Sequence, residues 1–180
     1  MTERTGLVTM KGKPMTLAGN EVEVGDKTPD FEAVANDLSA VRFSAAFKDK
    51  ICIISSVTSL DTSVCSTETK RFSDEADRLG PDVAILTISM DLPFAQKRWA
   101  EKSGVTNIHF LSDHRNASFG EAYGVLLKEV RLLARTVFVT DQEGVVRYMQ
   151  LVKEVANEPN YEEVLNAVKQ LVPVAAGSRA

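Results

Sequence analysis

Ile51-Cys52-Ile53-Ile54-Ser55-Ser56-Val57-Thr58-Ser59-Leu60-Asp61-Thr62-Ser63-Val64-Cys65 is the stretch on which the fold turns. Residues 51–57 are apolar and rich in β-branched side chains, the pattern of a central strand covered on both faces. A polar turn follows. From about residue 64 to 79 the period becomes helical: Val64, Phe72, Ala76 and Leu79 share one face, with Lys70, Arg71, Asp74 and Glu75 mostly away from it. Thr62 and Cys65 therefore stand at the mouth of a helix. A cysteine in a first helical turn meets unpaired backbone N–H groups and the positive end of the helix dipole, which favour its thiolate. The Thr62 hydroxyl can donate back towards that sulfur. Strand, turn, Thr-x-x-Cys and helix form a layout for a reactive thiol. The plainer alternatives are a buried apolar Cys65 and a Thr62 that only caps the helix.

Outward from this stretch, strands and helices alternate. Residues 7–10 and 15–17 flank Lys11-Gly12-Lys13-Pro14 as a β-hairpin. Residues 31–35 and 40–43 read as short strands, and 82–89 as a longer apolar one. Pro93 suits a first helical turn, and that helix runs to a stop at Gly104. Residues 108–111 predict a strand, and 116–123 a short helix ending at Gly124. Residues 136–140 and 145–150 flank Asp141-Gln142-Glu143-Gly144 as a hairpin, and 161–172 form a last amphipathic helix closed by Pro173. The order predicts an α/β fold of thioredoxin type, a central mixed β-sheet flanked by helices with an N-terminal β-hairpin over about 7–18. No linker or repeat divides the chain, so one domain over 1–180 is expected, with a flexible tail from about 174 to 180.

Composition excludes several function classes. The chain has 180 residues, a formal net charge of −4 and no cluster of Lys and Arg, which argues against a nucleic-acid partner. Its apolar runs are too short to span a bilayer, so no membrane association is expected. No basic segment leads into an apolar one near Met1, and two cysteines make no disulfide framework; the cytoplasm is the default compartment. His109 and His114 lack metal-site spacing and read as surface or loop residues. No Gly-rich nucleotide loop follows a strand. Glu154, Glu158, Glu162 and Glu163 read as solvated surface, and Phe94 and Trp99 as core or interface residues.

The wording Ser59-Leu60-Asp61-Thr62-Ser63-Val64-Cys65 resembles the thiol peroxidase branch of the peroxiredoxins. Three further blocks resemble the family's signatures in the family's order. They are Asp91-Leu92-Pro93-Phe94-Ala95-Gln96-Lys97-Arg98-Trp99, the run from Leu111 through Asp113 to Val125, and Leu132-Leu133-Ala134-Arg135-Thr136-Val137-Phe138-Val139. The resemblance spans nearly the whole chain. It implies a thiol-dependent peroxidase that reduces organic hydroperoxides and hydrogen peroxide through a Cys65 sulfenic acid. Cys65 would be the peroxidatic nucleophile, Thr62 would hydrogen-bond the thiolate and orient the peroxide, and Arg135 would stabilise thiolate and leaving oxygen. On the residues alone, Arg135 reads as a solvated charge at a strand end. The family also implies no metal or organic cofactor, thioredoxin or another thiol as reductant, and a homodimer with its interface near the active site.

Two departures bear on mechanism. Thr58 stands where the family has Pro, exchanging rigidity for a hydroxyl, so a functional but slower site is expected. Ala100 stands where two-cysteine members carry the resolving Cys. The usual disulfide cannot form in cis there, and direct reduction by an external thiol is one route that remains. Cys52, early in the central strand, reads as structural. A non-catalytic or single-turnover redox sensor of the same fold is the other class compatible with these losses, whereas the absence of a C-x-x-C pair at Cys65 argues against a disulfide oxidoreductase.

Overall fold

The computed structural model describes residues 1–173, and the expectation of a flexible tail lies outside them. Two strands open the chain, β1 (Glu3–Met10) and β2 (Lys13–Ala18), joined by a two-residue turn in which Lys11 and Gly12 both have positive φ, 50° and 76°. Such a turn matches the twist of paired strands. The hairpin is longer than predicted, because Lys13 and Pro14 continue the ladder opposite Met10 and Thr9. β3 (Glu32–Val34) and β4 (Ala40–Arg42) follow, then a short α1 (Phe43–Ala46) that the sequence did not reveal. The decisive stretch forms β5 (Ile51–Ser56) and α2 (Ser63–Leu79).

Beyond it lie β6 (Val83–Ser89), α3 (Pro93–Ser103), β7 (His109–Ser112) and α4 (Ser118–Ala122). Two short strands, β8 (Leu126–Leu127) and β9 (Leu132–Leu133), precede β10 (Thr136–Thr140), β11 (Val146–Leu151) and α5 (Tyr161–Leu171). The main sheet has the order β11-β10-β5-β6-β7-β3-β4, and a smaller sheet has the order β1-β2-β8-β9. β5, β6 and β7 are parallel, while β10 runs antiparallel to β5. The predicted mixed sheet and its helices are thus present, and the hairpin belongs to a second sheet.

Alternation along β5 splits the core into two layers. Ile51 and Ile53 pack with Phe72 and Leu79 of α2, Ala100 of α3 and Val164 and Val168 of α5. Cys52 and Ile54 point the other way, into a cluster with Phe43 of α1, Phe119 of α4 and Leu17 and Leu127 of the small sheet. That opposition follows from the two-residue period of a strand. Among the described residues, no helix is long and apolar enough to cross a membrane.

Candidate active site

The site forms at the carboxyl end of β5, where the chain leaves the sheet at Val57 and enters α2. A side-chain lattice holds this connection. Asp91 accepts from the Ser59 hydroxyl at 2.7 Å and from the Leu60 amide at 2.8 Å, and the Ser89 hydroxyl donates to the same carboxylate at 2.7 Å. The turn before α2 is therefore tied to the end of the neighbouring parallel strand β6. The helix starts with Thr62 at its N-cap and Cys65 three positions inside it. Its first intrahelical bond runs from the Ser66 amide to the Thr62 carbonyl at 3.0 Å. No side-chain cap is made, so the amides of the first turn and their partial positive charge are not offset by a capping oxygen.

Cys65 is fully buried, and Arg135 Nη2 donates to its Sγ at 3.2 Å. Arg135 immediately precedes β10, whose Thr136 pairs with Ser56 at the end of β5. The same pairing fixes the residue before it: the Ser56 hydroxyl donates to the Ala134 carbonyl at 2.7 Å. Arg135 is 1% exposed, far from the solvated strand end that its sequence context alone suggests. A guanidinium so deeply buried needs compensation. Glu68, one turn below Cys65 on α2, accepts from Nη1 at 2.5 Å, and the Val155 carbonyl accepts from Nε at 3.0 Å and Nη2 at 2.6 Å. The Ser55 hydroxyl donates to the second Glu68 oxygen at 2.9 Å.

These contacts define a buried chain Ser55–Glu68–Arg135–Cys65. Burial pushes the Glu68 carboxyl up to about 6, against the opposing pull of Arg135 and Ser55. Burial also disfavours the Arg135 cation, but Glu68 and Cys65 outweigh it, and the Arg135 pKa is raised. The guanidinium stays charged, with one fork spent on Glu68 and the other on sulfur. Glu68 was not singled out from the sequence. Its signal is faint: it lies three residues after Cys65, on the same helical face, where an amphipathic helix otherwise buries apolar groups.

Thr62 is placed differently from the simplest expectation. Its side chain is exposed, and its hydroxyl donates to the Ser59 carbonyl at 2.8 Å; it neither donates to Cys65 nor accepts from a helix amide. It nevertheless lines, with Arg135 and Thr58, a pocket of about 260 Å³ next to the thiol. The remaining wall is largely apolar, from Met10, Val64, Val155 and Ala156. Cys65 is not itself in the lining; Arg135 is, and it bonds the Cys65 sulfur.

The hairpin tip forms part of the pocket rim. Glu154 accepts from the amides of Lys11 and Gly12, each at 3.0 Å, and from the Thr9 hydroxyl at 2.6 Å. These donors hold its carboxyl down at about 2. Reading Glu154 as solvated surface is thus corrected: it is a clamp between the hairpin and the segment after β11. Glu154 is half-buried, and the positive-φ turn aims two successive N–H groups at this one anion.

Cys52 lies on the opposite face of the sheet from Cys65, and both thiols are free. Burial pushes Cys52 up to about 12, so it is a poor nucleophile. Ala100 is buried in the same apolar layer as Cys65, and Trp99 beside it donates its indole N–H to the Ser66 hydroxyl at 3.2 Å. The position expected for a resolver thus sits on a helix braced against the start of α2. Phe94 is 65% exposed, whereas Trp99 is half-buried. His109 stacks edge-on against Phe47 and His114 shares a hydrogen bond with the Ser112 hydroxyl. Among the described residues, no group of three or more His, Cys, Asp or Glu side chains is placed to hold a metal ion.

A buried cysteine in a first helical turn is thus bonded to a buried arginine just before the start of the adjacent strand β10. The Redoxin family model matches residues 23–165. The chain belongs to the redoxin family, among the thiol peroxidases. It is 52% identical over 165 residues to the thiol peroxidase of Bacillus subtilis, covering 92% of this chain and 98% of that one. It is 51% identical over 162 residues to that of Halalkalibacterium halodurans, covering 90% and 96%. A peroxiredoxin-like protein from Aquifex aeolicus superposes with a TM-score of 0.86 at 45% identity, over 93% of this chain and 99% of that one. The thiol peroxidase from Chromobacterium violaceum, at 22% identity and a TM-score of 0.79, shares the fold.

Proposed function

We propose that this chain is a thiol-dependent peroxidase acting as one domain, with Cys65 as its nucleophile. The observation that carries this reading is the 3.2 Å bond from buried Arg135 to the Cys65 sulfur at the N-terminus of α2. The Cys65 thiolate attacks the terminal oxygen of a hydroperoxide. The S–O bond forms as the O–O bond breaks, leaving Cys65 sulfenic acid and an alkoxide or hydroxide that takes a proton and departs. Arg135 offsets the negative charge as it moves from sulfur to the leaving oxygen. Glu68 and the Val155 carbonyl hold the guanidinium in that position before substrate arrives. Thr62 contributes from the pocket wall, where its hydroxyl can turn from the Ser59 carbonyl to a bound peroxide.

The apolar wall of the pocket favours hydroperoxides with a carbon substituent, such as cumene hydroperoxide. Regeneration uses an external thiol. A first thiol condenses with the sulfenic acid to give a mixed disulfide and water, and a second releases the Cys65 thiol and a disulfide. With Ala100 at the resolving position, and with Cys52 on the far side of the sheet, neither position supplies that thiol in cis. Thioredoxin or a small thiol fills the role, and the thiols of a reducing cytoplasm suit it.

A homodimer is part of the same reading. Leu92 and Phe94 are exposed at 53% and 65% where α3 begins, next to Asp91, which holds the active-site turn. Two large apolar side chains so placed fit an interface close to the site. Thiol-dependent turnover of cumene hydroperoxide tests the activity itself: consumption of several equivalents per chain is expected, and consumption of one equivalent or none would refute an enzyme.

A further inference from the structure

Three of the hydroxyl and charged side chains lining the active-site pocket already have partners. Arg135 is bonded to Glu68, to the Val155 carbonyl and to Cys65. Glu154 is taken up by the hairpin tip. The Thr62 hydroxyl gives its proton to the Ser59 carbonyl. Lys11 and Ser63, which also line the pocket, are exposed to solvent, and Thr58 is the buried lining residue left without a partner. It lines the same pocket, its side chain is only 8% exposed, and its Oγ1 is buried with no hydrogen-bond partner. Buried hydroxyls in native folds are almost always paired, so an orphan in a residue lining this pocket calls for a partner that the chain itself does not supply. The side chains of Val64, Val155 and Ala156 in the same wall offer the Thr58 hydroxyl no acceptor.

We propose that the Thr58 hydroxyl donates a hydrogen bond to the peroxide group of the bound substrate, making Thr58 a catalytic residue beside Cys65 and Arg135. The proposal rests on the peroxidase reading above and adds a donor to it. During attack the electron pair of the O–O bond collects on the leaving oxygen, and a preplaced O–H strengthens its bond to that oxygen as the charge grows. The proton stays on Thr58 until solvent or another acid protonates the departing alkoxide. Proline at this position could supply shape and rigidity but no donor. The exchange of Pro for Thr therefore alters what the pocket offers the substrate as well as its stiffness.

Thr58→Val, of nearly the same shape, separates this role from packing. Stopped-flow fluorescence of the chain's single tryptophan, Trp99, follows oxidation of reduced enzyme by cumene hydroperoxide; intact mass checks the product. The second-order rate constant of Thr58→Val is expected to fall about ten- to hundredfold, while thermal stability is kept or rises because an unpaired buried hydroxyl is gone. Thr58→Ser, which keeps the donor, should retain most of the parent rate. A Val variant oxidised as fast as the parent would overturn the proposal while leaving the peroxidase reading intact. A loss of rate in Val and Ser alike would also overturn it, since packing then accounts for the effect. If the parent chain itself is not oxidised, the peroxidase reading falls, and the Thr58 proposal with it.

Discussion

Cys65 and Cys52 differ in which layer of the core holds them and in what touches the sulfur. Cys65 receives an N–H from Arg135 at the start of a helix. Cys52 sits in the opposite layer, pushed up to about 12 by burial. Cys65→Ser should therefore abolish peroxide consumption, whereas Cys52→Ser should leave the first oxidation step at its parent rate in single-turnover kinetics. Arg135→Lys keeps a positive charge but cannot reach Glu68, Val155 and sulfur with one planar fork. The oxidation rate is expected to fall about a hundredfold or more, in line with loss of a preorganised donor. Glu68→Ala would strand the buried guanidinium. It should destabilise the fold by about 3–5 kcal/mol, measured by denaturant unfolding, as breaking a buried pair does. A cost within surface-mutation range would mean that Arg135 finds compensation elsewhere.

The tip of the hairpin formed by β1 and β2 is tied to the segment after β11 by backbone bonds between Thr9 and Lys153 and Val155, and by the Glu154 carboxylate. Glu154 ordinarily titrates at 4.5 and is held down at about 2 in the folded chain by the Thr9 hydroxyl and the Gly12 and Lys11 amides, with partial offset from burial. A lowered carboxyl pKa contributes stability that is complete above about pH 4.5 and lost as pH falls towards 2. Amide exchange of Lys11 and Gly12 should thus accelerate relative to the core across that window. Glu154→Gln should show faster exchange already at neutral pH and flatten the acid dependence. Because the hairpin tip and Glu154 both border the pocket, the variant should also react more slowly with a bulky hydroperoxide than with hydrogen peroxide. Equal protection of these two amides in the parent and Glu154→Gln would contradict the clamp.

At the scale of the whole molecule, the layered fold was legible because long strands and amphipathic helices carry their own periods. β5, β6 and β10 are runs of β-branched residues, and α2, α3 and α5 start and stop close to where caps, Pro93 and Gly104 indicate. What stayed hidden depends on distant partners. β8 and β9 are two residues each and become strands only through β2 and each other. α4 starts at Ser118, later than predicted, because Asp113 reaches forward to cap the Phe119 and Gly120 amides at 2.9 and 2.8 Å. In the site, Cys65 and its helix end could be read locally. The burial of Arg135, its pairing with Glu68 and the orphaned Thr58 hydroxyl could not, since each requires strands far apart in sequence to be neighbours. The exposed Leu92 and Phe94 belong to this scale too: the proposed dimer should sediment as a monomer after Leu92→Lys with Phe94→Lys, and a parent chain that already sediments as a monomer, or an unchanged mass in the variant, would contradict that interface.

The most direct test is intact mass spectrometry of reduced protein given one equivalent of cumene hydroperoxide in the presence of dimedone, followed by peptide mapping. The expected result is a single dimedone adduct on Cys65, with Cys52 unmodified and the peroxide consumed. An unmodified Cys65 with intact peroxide, or an adduct confined to Cys52, would contradict the assignment of the nucleophile and the mechanism built on it.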